Sequence, residues 1–122
     1  MATGMSLMTY DGAFIASAVL NVGTASATTV VAALAGARTR IYKAIFTASG
    51  ANQVTVNDGT TAITGPINLS AGVPLVIPFD GQPWLTTSIG NALTITPTTA
   101  ASGVTGIIWF TQNANANPAG NP

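Results

Sequence analysis

Asp58-Gly59, set between the runs Val54-Thr55-Val56 and Thr60-Thr61-Ala62-Ile63, constrains this chain more than any other short stretch. A two-residue hairpin turn of the primed kind needs positive φ at its central positions, and Asp-Gly adopts it at little cost. The pairing then sets Asn57 opposite Thr60, Val56 opposite Thr61 and Val54 opposite Ile63. Val54, Val56 and Ile63 share one face, while Thr55, Asn57, Thr60 and Ala62 share the other, so turn and pattern agree. Upstream, Arg40-Ile41-Tyr42-Lys43-Ala44-Ile45-Phe46-Thr47-Ala48 reads as a central strand. Counting by twos puts Ile41, Lys43, Ile45 and Thr47 on one face and Arg40, Tyr42, Ala44, Phe46 and Ala48 on the other. Bulky apolar groups fall on both faces, which predicts cover on both, by a second sheet and by a loop or a neighbouring subunit.

The rest of the chain is cut into similar short pieces. Phe14 to Leu20, Ser26 to Leu34, Ile67-Asn68-Leu69, Val73 to Phe79 and Leu93-Thr94-Ile95-Thr96 each suit a strand. They are separated by Asp11-Gly12, Asn21-Val22-Gly23, Gly65-Pro66, Ser70-Ala71-Gly72, Asp80-Gly81-Gln82-Pro83 and Pro97, all turn formers. Pro74 and Pro78 lack the ladder N–H and confine their run to a sheet edge or to strand ends. Gly103 to Thr111 is apolar on both faces and reads as a core strand, with Trp109 inside the core. About eight short strands make an all-β, antiparallel β-sandwich or barrel. The expected divisions are an N-terminal arm at 1–12, a β-sandwich at 13–111 and an extended C-terminal tail at 112–122. Neither end has the apolar content to pack alone, so a neighbouring subunit is expected to hold them.

The residue inventory excludes most chemistry. No histidine, cysteine or glutamate occurs, which removes the usual general bases, thiolate metal sites and every His-containing triad. No enzyme activity and no cofactor are expected. The three carboxylates, Asp11, Asp58 and Asp80, each precede a glycine and read as turn residues, with a calcium site as the rival reading. Arg38, Arg40 and Lys43 supply every cation within six residues. Alternation puts Arg38 and Arg40 on one face and Lys43 on the other. They serve either as a solvated strand start that discourages edge pairing or as an ion-pair contact to a partner.

Three cations are too few for a nucleic-acid surface, and no nucleic-acid partner is expected. The apolar runs fall far short of the roughly 20 residues that span a bilayer, so no membrane partner is expected either, and the first residues lack the pattern of a signal peptide. Charged residues make up 5% of the chain, against about 25% in an ordinary soluble domain. So sparse a charge implies that other protein covers much of the surface. Trp84, presented by Pro83, is a candidate for core packing, a subunit interface or ligand stacking; Tyr10 joins it, Arg38, Arg40 and Lys43 as an interface candidate.

From Arg40 to Phe110 the order Ile41-Tyr42-Lys43-Ala44-Ile45-Phe46, Gly65-Pro66-Ile67-Asn68-Leu69, Pro78-Phe79-Asp80-Gly81-Gln82-Pro83-Trp84 resembles small virion proteins of tailed bacteriophages. The resemblance implies a jelly-roll-like β-sandwich acting as a capsid decoration (cement) protein. Such a protein sits on the head surface, commonly as a homotrimer bound to the major capsid protein, after synthesis in the cytoplasm of the bacterial host. It carries no catalytic residues over. Rival expectations are a receptor- or carbohydrate-binding module of a tail fibre or spike, with Trp84 as its platform, and a head–tail or tail component.

Overall fold

The computed structural model describes residues 15–114. Ten strands form: β1 (Ala16–Val22), β2 (Thr28–Val31), β3 (Ala37–Ala48), β4 (Asn52–Asp58), β5 (Thr61–Ala62), β6 (Ile67–Leu69), β7 (Leu75–Ile77), β8 (Leu85–Thr86), β9 (Leu93–Pro97) and β10 (Val104–Ala114). One sheet runs β1-β10-β3-β7 with β8 also on β3; the other runs β2-β9-β4-β5 with β6 also on β4. The pairing is nested. The first strand pairs with the last, β2 with β9, β3 with β7 and β8, and β4 with β5 and β6, all antiparallel. This is a long hairpin rolled into two packed sheets, the jelly roll.

The expected eight strands correspond to eight positions in that ribbon. Two are broken. Gly65-Pro66 separates β5 from β6, and the stretch from Pro78 to Pro83 separates β7 from β8. In each case proline cannot supply the ladder N–H, so pairing lapses and resumes on the same neighbour. β7 fits between Pro74 and Pro78 at the sheet edge. At the other extreme, β10 runs to Ala114, three residues into the segment read as tail, because β3 offers Thr39, Arg38 and Ala37 as partners for Gln112, Asn113 and Ala114. The proposed arm, and the remainder of the tail beyond 114, lie outside the described residues.

The hairpin after β4 turns one residue later than its sequence suggests. Asp58 pairs with Thr61 and Asn57 with Ala62, leaving Gly59 (φ 61°) and Thr60 as the loop. This moves the register by two residues. A shift of two preserves faces, so Val54 and Val56 still point inward and are fully buried.

A larger departure occurs in β3. Trp109 pairs with Lys43 but Phe110 pairs with Ile41, so Tyr42 is an extra residue in the ladder, a β-bulge. The extra residue resets the alternation, and Ile41 joins Ala44, Phe46 and Ala48 in the core instead of opposing them. Sequence alternation assigned Lys43 to the face away from Arg40; the bulge puts both on the outer face. Trp109 is corrected likewise. Its neighbours Ile108 and Phe110 face inward, while Trp109 stands outward, half-buried, with the Lys43 ammonium 4.9 Å from its ring centroid.

Between the sheets, Leu20, Ile41, Phe46, Val104 and Ile108 of the first meet Val54, Val56, Leu93 and Ile95 of the second. Asn52 ties the β9–β10 loop to β4: its amide donates to the carbonyls of Thr99 (3.0 Å) and Ser102 (2.6 Å), and its Oδ1 accepts from the N–H of Gln53 and of Thr99.

Candidate functional site

The two outward faces of the sandwich differ in kind. On the second sheet, Thr29, Thr94, Asn57 and Ala62 are opposed across four strands. The Asn57 amide donates to Thr94 (3.1 Å) and Thr96 (2.8 Å), and the Gln53 amide donates to Asn68 (2.7 Å). That surface is polar and largely satisfies itself.

On the first sheet the corresponding row is apolar. Val19, Ile107, Ile45 and Val76 stand opposite one another across β1, β10, β3 and β7. Each is flanked by inward residues, so all four point away from the core. Val19 is 76% exposed and Val76 49%. The next row is Ser17, Trp109 and Lys43; the one beyond it is Thr111, Arg40 and Thr86. A β-branched stripe thus lies beside a Trp–Lys pair on the outer side of this sheet, and in the row beyond, Thr111 and Arg40 are buried.

Arg40 is the unusual member. It is 8% exposed, and among the described residues its buried Nη1 has no hydrogen-bond partner; neither has the buried hydroxyl of Thr111, directly across the ladder. Arg38, two residues before it, puts its positive charge near Asp58.

The other sequence candidates divide. Trp84 is delivered by the Asp80–Pro83 turn, in which Asp80 accepts from the Gln82 N–H. Its own N–H donates to the Ile41 carbonyl at 2.7 Å, and its ring meets Phe46 edge-on, 6.3 Å between centroids at 67°. It is half-buried and packs against the core. Tyr10 and Asp11 lie outside the described residues. Among those residues, no three acidic, histidine or cysteine side chains gather where a metal could sit. An open groove of about 450 Å³ beside Asn52, Gln53, Asn68 and Thr98 is lined by neither aromatic nor charged side chains.

Asp58 does structural work. Burial raises its pKa, but the side-chain and backbone hydrogen bonds from Ser88, the one from Asn91 and the charge of Arg38 outweigh that and lower it overall. The folded chain therefore binds this proton less tightly than the unfolded chain does. Its stabilisation is full above the unfolded value of about 4 and is lost as pH falls through the folded value. Urea unfolding between pH 7 and pH 2 should show a falling acid limb that Asp58→Asn flattens; an unchanged limb would contradict this network.

The signals missed in the sequence were the bulge, which has no residue signature, and Thr111, whose role depends on facing Arg40. No family model, curated protein or solved structure matches the chain.

Proposed function

We propose that this is a non-catalytic structural protein of a virion, a decoration protein that sits on a phage head as a homotrimer and binds the shell through the outer face of its first sheet. The observation that carries the reading is the row Val19–Ile107–Ile45–Val76, an in-register apolar stripe on one face only. Water contact with such a stripe is unfavourable by about 25 cal/mol per Å² of apolar surface, and burial against a partner recovers it. The opposite face, with its threonine and amide ladder, has no comparable reason to be covered. Six charged side chains in 122 residues support the same conclusion, because an assembled surface needs little charge for solubility. Jelly rolls serve virion shells and lectins alike, so the fold alone does not decide between them. The packing of Trp84 on Phe46 weighs against the sugar-binding alternative.

Light scattering on the purified chain across a dilution series tests the oligomer. A mass of three chains that persists on dilution is the expected result. A monomer at every concentration would remove the homotrimer.

A further inference from the structure

The last strand of a sheet turns one row of N–H and C=O groups away from the ladder, and such an edge recruits other strands unless something blunts it. Among the described residues the edges are β1 and β7 with β8 on the first sheet, and β2 and β5 with β6 on the second. Three of the four are blunted. β7 has three residues between Pro74 and Pro78, and β8 adds two more. β5 and β6 have two and three residues, parted by Gly65-Pro66. β2 has four, and its register on β9 shifts between Thr29 and Val31, so Val30 bulges out of the ladder. β1 has none of these defences. Its seven residues, Ala16 to Val22, match Phe110 to Val104 one for one without a shift, and they include no proline, no glycine and no charge. We infer that β1 is the edge through which two copies of this chain join, each β1 pairing antiparallel with the other about a two-fold axis beside Val19.

A second copy fits this edge because the strand complements itself. Val19 is the middle residue of β1. Centred there, Val19 meets the partner's Val19, Ser17 the partner's Asn21 and Ala18 the partner's Leu20. Strand alternation then keeps Ser17, Val19 and Asn21 on the outer side and Ala18 and Leu20 on the inner side of both copies. Pairing over seven residues forms about six to eight backbone hydrogen bonds. It also covers the end of the apolar row, where Val19 is 76% exposed, and runs the two rows Val19–Ile107–Ile45–Val76 into one. A two-fold contact uses the same patch on both chains and closes at two, and the blunted β7 edge stops the widened sheet from growing further. So small a contact is of the transient class, formed where chains are concentrated and released on dilution. It doubles whatever unit carries it, and the homotrimer and the shell contact can each fail while the pair stands.

Disulfide trapping tests the pair in the purified chain. The sequence has no cysteine, so one introduced thiol reports on its own neighbour. Directly opposed residues of an antiparallel ladder have Cα atoms about 4.5–5.5 Å apart, within the range a disulfide bridges. Val19→Cys, Ser17→Cys and Asn21→Cys all fall on exposed positions and should leave the fold intact. In concentrated solution under copper–phenanthroline, Val19→Cys should form linked dimers at least about tenfold faster than Ser17→Cys or Asn21→Cys alone, whose thiols would lie about 14 Å apart across the pair. An equal mixture of Ser17→Cys and Asn21→Cys should link to each other as fast as Val19→Cys links to itself. Val76→Cys, at the blunted edge, should link slowly, and urea should erase the differences. Linking of every variant at one rate, or of none, would overturn the pair. Faster linking of Ser17→Cys than of Val19→Cys would overturn the register, and with it the two-fold axis beside Val19.

Discussion

Gly106→Ala is expected to destabilise the protein by about 3–5 kcal/mol, a large part of the 5–15 kcal/mol that holds a domain of this size together. Gly106 lies in the middle of β10, in register between Leu20 of β1 and Phe46 of β3. Its φ of +146° belongs to a region that side-chain-bearing residues rarely enter. A Cβ built on it would run into the carbonyl oxygen of Ile45, a backbone atom in the ladder that cannot swing aside as a side chain could. Backbone strain of about 1–3 kcal/mol and overpacking of about 1–3 kcal/mol therefore act together. Urea unfolding followed by tryptophan fluorescence measures it. A loss under about 1 kcal/mol would mean that β10 and β3 do not approach as closely as described.

Phe46→Ala should cost a similar amount, about 3–5 kcal/mol. Its ring is fully buried between the sheets and takes the edge contact from Trp84. Removing it leaves a cavity that the two sheets, pinned by their ladders, cannot close. The same substitution should shift the tryptophan emission, because the Trp84 indole loses its neighbour. A loss below about 2 kcal/mol with unchanged emission would show that Phe46 is not the centre of the core. Both variants act on the sandwich itself, Phe46→Ala inside the core and Gly106→Ala on the backbone of Ile45.

The strand positions were legible in the sequence because Gly and Pro mark where pairing must stop. Pro74 and Pro78 bracket β7, and Gly65-Pro66 breaks the ribbon between β5 and β6. The Asp58-Gly59 turn misplaced the register yet kept the faces, since a two-residue slip leaves the alternation intact. What could not be read was anything set by one strand's relation to another. The bulge at Tyr42 depends on how β3 meets β10, and it overturned the faces of Ile41 and Arg40 relative to Lys43 and Phe46 at once. Trp109 was assigned inward from an apolar run; only the register shows Ile108 and Phe110 taking the core positions. Gly106 passed unnoticed for the same reason, as its neighbour Ile45 is 61 positions away in the chain yet touches it across the ladder. Of the candidate site, the cations on β3 were visible as a cluster. The common face of Arg40 and Lys43, the apolar row beside them and the placement of Arg40 opposite Thr111 are products of the fold.

The central claim is that the outer face of the first sheet is the surface this protein works with. Its most direct test is co-sedimentation of the purified chain with phage heads assembled without it, comparing wild type with the Val19→Ser, Val76→Ser double variant. Both substitutions fall on exposed positions, so the fold should keep its stability to within about 1 kcal/mol, as a urea melt would confirm. The account predicts that wild type sediments with the heads and that the double variant remains in the supernatant at the same concentration. Equal sedimentation of the two proteins would contradict it and move the binding surface elsewhere on the molecule.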